Sequence, residues 1–191
     1  MTRLIKGFET ERLYIRPVQE VDKDEYMALR IQTSEISRAY TAMPDFSESE
    51  WESELNGNEK EIYYSVFLKQ ENSFVASASV IENKKKILEI GYDVKEEFRN
   101  RGVATELLKA LLKEIRMIDP YTTVQIKTNA DNKASRKVAE ACGGVMTKFE
   151  DTCFVRAIKS LRNIESTGEE DEETHKLVEQ GTNAVCVYVM P

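Results

Sequence analysis

The chain has 191 residues, of which 41% are hydrophobic and 32% charged, and a formal net charge of −7. This composition is typical of one globular domain that spans residues 1–191, and no apolar run approaches the roughly 20 residues needed to cross a membrane. The N-terminus has no signal-peptide pattern and no basic stripe is present, so we expect a cytoplasmic protein that binds neither membranes nor nucleic acid directly.

The N-terminal part of the chain predicts one strand and two helices. Residues 11–17 alternate between apolar and polar side chains, and Pro17 is expected to end this first strand. Residues 22–25 and 47–50 each have the pattern of a capping box, which marks the start of a helix. Next to the two boxes we expect hydrophobic staples, formed by Val21 with Tyr26 and by Phe46 with Trp51.

The middle of the chain predicts a hairpin and a further strand. Residues 61–69 and 74–81 are expected to pair around a turn at 70–72, and residues 83–86 form the next turn. The following strand alternates strictly, with one apolar face of Leu88, Ile90, Tyr92 and Val94 and a second face of Glu89, Gly91 and Asp93. Because a glycine inside a strand often marks a bulge, we expect one at Gly91, where it would expose backbone groups to an extended ligand.

The segment Arg99-Asn100-Arg101-Gly102-Val103-Ala104-Thr105 leads from this strand into a helix. Apolar side chains recur at helical spacing from Ala104 to Ile115, which predicts a stripe buried against a sheet. A helix start after a glycine turn presents unpaired N–H groups and the positive end of the helix dipole, and this favours a phosphate ligand. We therefore expect the turn to clamp a pyrophosphate.

The last part of the chain predicts two more strands and a short helix. Residues 121–127 form a strand parallel to the one at 87–94, and Asn132 opens a helix that ends near Cys142 with Gly143 as its cap. The pattern is indistinct after Val145, where residues 154–164 are compatible with a helix, and residues 184–189 form the final strand. This order predicts an α/β (α+β) fold with a mixed central sheet of about seven strands and helices on both faces.

Cysteine and histidine usage argues against metal and triad chemistry. Cys142, Cys153 and Cys186 have no Cys-x-x-Cys spacing, so we expect reduced, mostly buried thiols. The single histidine, His175, lies in a polar stretch. We therefore expect no metal site and no histidine-based catalysis.

An acidic, atypical segment, residues 155–181, precedes the last strand. Residues 163–180 contain seven acids against one base, Lys176, which accounts for −6 of the net charge of −7. The segment is either a solvated stretch without a partner or an acidic lip that attracts a cationic substrate.

Three short motifs occur in the order found in one known superfamily. Residues 10–17, residues 89–92 and the triplet Ala104-Thr105-Glu106 resemble the RimJ/RimL-like branch of the GNAT superfamily of N-acetyltransferases, over residues 8–147. The resemblance implies the GNAT fold, acetyl-CoA as co-substrate without a metal, and direct transfer of the acetyl group to a primary amine. The acceptor would be a protein N-terminus or a small amine, with polycationic amines among the candidates, and the enzyme a monomer or homodimer.

The resemblance also assigns the site. Backbone groups of Tyr92 and Val94 would bind the pantetheine arm, Asn132 would bind the cofactor near its reactive end, and Ser135 would lie near the thioester sulfur. The residues that would wrap the pyrophosphate are Arg99, Arg101, Gly102, Val103, Ala104 and Thr105.

The catalytic residues have competing interpretations. Glu89 is the candidate base that deprotonates the amine, or else part of a cross-strand ion pair. Ser135 is the candidate acid, or else a helix hydroxyl bonded to its own backbone. Ala139 stands where many GNAT enzymes have a tyrosine acid, and Gly144 replaces a further aromatic. Either Ser135, Tyr188 or water would serve instead, or the thiolate would leave without a dedicated acid. The alternative function is a non-catalytic acyl-CoA-binding sensor or scaffold.

Overall fold

The computed structural model describes residues 6–38, 46–151 and 184–191, which form eight strands and four α-helices. The strands are β1 Phe8–Glu9, β2 Leu13–Pro17, β3 Glu61–Leu68, β4 Ser73–Glu82, β5 Leu88–Val94, β6 Val124–Asn129, β7 Val145–Asp151 and β8 Ala184–Met190. The helices are α1 Lys23–Arg38, α2 Glu48–Asn56, α3 Val103–Ile118 and α4 Lys133–Ala141.

The strands form one mixed sheet with the order β1-β2-β3-β4-β5-β6-β8-β7. The pair β5–β6 is parallel and every other neighbouring pair in this sheet is antiparallel. The predicted mixed sheet, its hairpin and its parallel crossover are therefore confirmed, with eight strands in place of about seven.

Helices cover both faces of the sheet. On one face α3 and α4 pack over the main core, and Leu107, Leu108 and Leu111 of α3 are fully buried there. On the other face, α1 and α2 enclose a second, aromatic cluster around Tyr26 and Trp51. Each fully buried side chain of this size contributes about 1.5–3 kcal/mol through removal from water.

One of the two predicted capping boxes is displaced. Ser47 and Glu50 cap α2 as expected, but the first box lies at Gln19 and Asp22, where a short 3-10 turn precedes α1. The Asp22 carboxylate is occupied by a bidentate pair with Arg16, at 2.6 Å for each bond, so it does not form a box with the residue at position 25. The staple at Val21 is also wrong, because Val21 is 82% exposed.

Two strands also differ from the prediction. Strand β6 begins at Val124 and not at position 121, since Tyr121 lies in a turn and is 92% exposed. Strand β7 was not anticipated, and its ladder with β8 contains a register shift between Met146 and Lys148. The predictions for residues 154–164, for the acidic segment 155–181, and for Cys153 and His175 fall outside the described residues.

Two cysteines of the described part are buried and free. Cys142 lies at the end of α4 and Cys186 in β8, and burial raises the pKa of both thiols. Among the helices that the structure describes, none is long and apolar enough to span a bilayer.

Candidate functional site

The parallel strands β5 and β6 separate along their length and leave an opening in the sheet. Their register includes Leu88 with Val124 and Glu89 with Gln125, whereas β5 remains paired with β4 as far as Val94. The Leu88 N–H donates to the Thr123 carbonyl, at 2.9 Å, on the β6 side. Because backbone direction alternates along a strand, the backbone groups of Ile90, Tyr92 and Val94 also point to that side, into the opening.

The pairing at Gly91 corrects one expectation. Gly91 lies opposite Ser79 in an uninterrupted ladder, so β5 has no bulge there. A Cβ at position 91 would come within 2.7 Å of the Ser79 hydroxyl, which explains the glycine as a close approach between strands. The opening arises from the divergence of β5 and β6 and does not need a bulge.

The loop after β5 leads to the start of α3, where unpaired N–H groups lie near the opening between β5 and β6. Gly102 is the N-cap of α3, with φ of 78° and no side chain that could cap the helix. The first backbone bond of the helix runs from the Glu106 N–H to the Gly102 carbonyl, at 3.0 Å, so the N–H groups of Val103, Ala104 and Thr105 have no partner within the helix. Such a helix start suits an anion, as the sequence predicts.

Two of the motifs that carry the resemblance are bonded to each other. The guanidinium of Arg12 binds the Glu106 carboxylate, with Nε at 2.7 Å, and Thr10 donates to the same carboxylate. Burial would raise the pKa of Glu106, but the hydrogen bonds from Thr10 and Arg12 outweigh it and hold the pKa below its ordinary value. Arg12 also donates to the Arg101 carbonyl at 3.1 Å, which fixes the loop before α3.

The side chains of the loop arginines have local partners. Arg99 Nε donates to the Val94 carbonyl at 3.0 Å, which ties the loop to the end of β5. The Arg101 guanidinium lies 5.6 Å from the centre of the Phe98 ring. The part of the loop that precedes Gly102 is thus held in place by these two contacts.

Helix α4 brings Asn132 and Ser135 to the edge of the opening. Asn132 is the N-cap of the helix, and its Oδ1 accepts the Ser135 N–H at 3.0 Å. The hydroxyl of Ser135 lies 3.0 Å from the hydroxyl of Tyr92, whose ring crosses from β5 to α4. This contact was not foreseen, because only backbone groups of Tyr92 were assigned a role.

Glu89 lies at the closed end of the opening, on the opposite face of the sheet from Tyr92. Its Oε1 accepts hydrogen bonds from Asn83 at 2.7 Å and Gln125 at 2.8 Å, and Lys127 Nζ is 3.4 Å away. The cross-strand ion pair is therefore present, together with an amide cradle. The side chain remains 29% exposed, so solvent reaches it.

A second polar group on that face was missed from sequence. Arg30 of α1 binds Asp93 of β5 at 2.7 Å and Glu54 of α2 at 3.0 Å, and Glu54 also accepts from Tyr26 at 2.5 Å. Burial raises the pKa of Glu54, against the opposing effect of Arg30. The partners lie 24 to 63 residues apart, so no local pattern in the sequence could reveal the network.

Ala139 and Gly144, the two departures from the family pattern, lie next to other buried groups. Tyr188, an alternative acid, is already engaged beside α4, because its hydroxyl donates to Glu140 at 2.8 Å and accepts from Arg136 at 3.1 Å. Ala139 is fully buried. A Cβ at Gly144 would come within 2.8 Å of Met190 Sδ and 2.9 Å of the Ala139 carbonyl, which excludes an aromatic residue there.

Comparisons with known proteins bear on the family and the fold of the chain. The family described as "Acetyltransferase (GNAT) domain" matches residues 12–145. No curated protein sequence matches the chain.

Solved structures with the same fold span nearly the whole chain. A GNAT-family acetyltransferase from Bacillus anthracis is 20% identical, with 96% of this chain and 97% of that one covered and a TM-score of 0.69. The RimL ribosomal L7/L12 α-N-protein acetyltransferase in complex with CoA is 18% identical, with coverage of 96% and 97% and a TM-score of 0.69. Spermidine N-acetyltransferase from Vibrio cholerae, in complex with CoA and spermine, is 15% identical, with coverage of 95% and 96% and a TM-score of 0.68.

Proposed function

Because the chain belongs to the GNAT family of acetyltransferases, we propose that it moves the acetyl group of acetyl-CoA directly to a primary amine. The observation that carries the proposal is the meeting of two features at one edge: the unpaired backbone of β5 and the free N–H groups at the start of α3. An extended ligand with an amide-bearing arm and a diphosphate matches both features.

The residues present fit such a ligand. The backbone of Tyr92 and Val94 would hold the amide-bearing arm by strand-like hydrogen bonds, and residues 99–105 would hold the diphosphate. Gly102 leaves the helix start free of side-chain atoms because it has no Cβ, and its positive φ is a conformation that other residues rarely adopt. Asn132 would use its amide nitrogen toward the ligand, since its oxygen caps α4.

Acetyl-CoA supplies the thioester that the amine attacks, and the chain supplies the proton acceptor. A protonated amine is not a nucleophile, so its proton must be removed before or during attack. Glu89 takes this proton in our proposal, directly or through a water, while Asn83 and Gln125 hold its carboxylate in place. Backbone N–H groups of Ile90 or Tyr92, which point into the opening, would stabilise the oxyanion.

The leaving sulfur needs a donor on the other face. Ser135 is our candidate, because its hydroxyl lies at the edge of the opening and Ala139 carries no donor. Base and acid would then act from opposite faces of the sheet, one on the amine and the other on the sulfur.

The acceptor that we propose is a cationic amine, either a protein N-terminus or a small polycationic amine. Glu89 and Asp93 are each already paired with a cation, Lys127 and Arg30, so it is the excess of acids in residues 163–180 that favours a positively charged ligand. Two of the structural relatives are named for their acceptors, which are the α-N position of a ribosomal protein and spermidine. Both names therefore describe transfer to an amine.

The test is free-CoA release, measured with a thiol-reactive dye, from acetyl-CoA and a panel of acceptors. The panel contains cationic peptides with free N-termini, polyamines and aminoglycosides, and a reaction without acceptor corrects for hydrolysis. Release that depends on one acceptor class supports the proposal and identifies the class. Tight acetyl-CoA binding by calorimetry without turnover on the whole panel would overturn it in favour of a non-catalytic acyl-CoA sensor.

A further inference from the structure

The side chain of Tyr92 links the strand that lines the opening to the helix that follows it. Its hydroxyl is 3.0 Å from Ser135 Oγ and 3.4 Å from the Ser135 carbonyl oxygen. Its ring packs against the main core on the α3–α4 side of the sheet. The phenol is therefore held in one position, at the point where β5 and α4 face each other across the opening.

The contact favours one of the two interpretations of Ser135. A helix hydroxyl that bonds its own backbone would point to a carbonyl one turn earlier. In the structure the partner of this hydroxyl is the phenol, while the Ser135 N–H goes to Asn132. When the phenol donates to Ser135 Oγ, the hydrogen of the serine hydroxyl is left for another acceptor.

The protonation state of the phenol suits a donor. Burial raises the pKa of Tyr92, and the hydrogen bond with Ser135 opposes this only in part. The other groups that act on the phenol are Cys142, at the end of α4, and Asp93, on β5, and both raise its pKa further. Because its pKa is raised, the phenol keeps its proton around neutral pH, and burial raises the pKa of the Cys142 thiol as well.

We propose that Tyr92 and Ser135 form a two-hydroxyl relay that donates to the sulfur of CoA. The relay rests on the proposed function, and it assigns to Tyr92 a side-chain role in addition to its backbone. Ser135 is the residue that touches the sulfur, and Tyr92 acts through it as a positioning residue and proton source. The proton source is thus a side chain of β5, and α4 needs no second donor at the buried Ala139.

The proton and electron balance of the relay is complete. When the carbon–sulfur bond breaks, its electron pair stays on sulfur, and the Ser135 proton moves to it. The Tyr92 proton moves to Ser135 Oγ, and the phenolate then takes a proton from solvent. The proton lost by the attacking amine goes to the base on the other face, so the overall reaction releases neutral thiol.

The relay can be tested without knowing the acceptor, through the pH dependence of CoA binding. Hydrogen bonds to sulfur favour the thiolate, so they lower the thiol pKa of bound CoA below its ordinary value of about 8.5. The probes are CoA and desulfo-CoA, which lacks the sulfur, and the dissociation constants are measured by calorimetry from pH 7 to 9.5. For each unit by which the bound thiol pKa is lowered, CoA should bind about 10-fold more tightly at the alkaline end.

Three variants separate the relay from packing. Tyr92→Phe and Ser135→Ala should each flatten the pH dependence for CoA while the affinity for desulfo-CoA stays within about 2-fold. Tyr188→Phe is the matched control, because its hydroxyl is engaged by Glu140 and Arg136, and it should keep the dependence.

Two results would overturn the relay while leaving the proposed function intact. The first is an unchanged pH dependence in Tyr92→Phe. The second is an equal loss of affinity for CoA and desulfo-CoA in that variant, which would mean that the ring only packs. A wild-type protein that binds neither probe would overturn the proposed function itself.

Discussion

Glu89 is held at the closed end of the β5–β6 opening by two amides, from Asn83 and Gln125, and by one ammonium, from Lys127. The amides orient the carboxylate, as a group that takes a proton from a bound amine requires. The same contacts would also suit an ion pair without a catalytic role, and kinetics must separate the two.

We predict that Glu89→Gln lowers kcat/KM about 100-fold, which is within the usual contribution of a positioned base. The loss should be largest below neutral pH, where little of the amine is unprotonated in solution. The affinity for CoA should not change, because Glu89 lies on the opposite face of the sheet from Tyr92 and Ser135. Steady-state kinetics over pH with the acceptor found in the panel, together with calorimetry, measure both quantities.

Glu150→Gln is the matched control for this prediction. Glu150 Oε2 is 3.2 Å from Lys127 Nζ, so this variant also removes a carboxylate from the same lysine, but on β7 and away from the opening. It should retain near wild-type turnover. If the two variants lose turnover equally, the loss comes from the changed charge around Lys127, and Glu89 is not the base.

Gly91 and Arg30 show how single residues escape prediction from sequence. A glycine in a strand is compatible with a bulge or with a close approach, and only the position of Ser79 on the neighbouring strand decides for the latter. Arg30 lies on a helix whose own sequence identifies no partner. Its two ion pairs exist because the sheet brings Asp93 and Glu54 to the same helix.

The start of α3 is the element on which the cofactor assignment depends most. Its N–H groups are free because Gly102 has no side chain and adopts a left-handed conformation. Its position is fixed from outside the helix, by the bonds of Arg12 to Glu106 and to the Arg101 carbonyl. The contacts of Arg12 therefore hold both the loop and the helix start in position.

We predict that Gly102→Val reduces CoA affinity at least about 100-fold, because a β-branched side chain is strained at φ of 78° and fills space beside the helix start. Calorimetric titration with CoA measures the affinity, and thermal unfolding measures the cost of the strain. Wild-type affinity in a folded Gly102→Val protein would show that the phosphates bind elsewhere.

Gly57→Val is the control for strain alone. Gly57 also has a positive φ, of 52°, but it ends α2 and is not part of the loop before α3. Its substitution should lower the melting temperature by several degrees and leave CoA affinity unchanged. Comparable losses of affinity in the two variants would point to general destabilisation.

Local signals predicted most of the elements, and long-range competition explains the exceptions. The box at Ser47 and Glu50 formed because both side chains are free to cap the helix start. At the first helix, Asp22 is drawn to Arg16 and to Ser65, a residue 43 positions away, so the cap moved to Gln19. Strand β7 was missed because a register shift and its exposed edge interrupt the alternation on which a sequence prediction relies.

The whole molecule separates the two halves of the proposed reaction onto the two faces of one sheet. Tyr92 and Ser135 lie on the face covered by α3 and α4, and Glu89 lies on the face covered by α1 and α2. The acceptor amine would therefore approach from the face of the sheet that carries Glu89, while the leaving thiol would be protonated from the face that carries Ser135. The alternation along β5 already predicts that Glu89 and Tyr92 lie on opposite faces, whereas no local motif predicts the divergence of β5 and β6 that opens the sheet beside them.

Charge on the scale of the whole chain leads to a prediction about acceptor choice. Residues 163–180 account for −6 of the net charge of −7, so their field dominates any long-range attraction of cations. We predict that changing all the acids of residues 169–173 to Asn or Gln lowers kcat/KM for a polyamine about 5- to 10-fold at low salt. The effect should fade as salt is raised toward 0.5 M, because screening shortens the reach of the field.

A monoamine acceptor and CoA itself provide the controls for this prediction. A single positive charge gains less from the field, so kcat/KM for the monoamine should fall less than for the polyamine, and CoA affinity should stay within about 2-fold. Equal kinetics for both acceptors at every salt concentration would assign the segment to the solvated alternative. Specificity for polycations would then have to come from Glu89, Asp93 and their neighbours on the sheet. Substitution of these residues should lower kcat/KM for the polyamine by a factor that does not depend on salt, because contacts at short range are screened little.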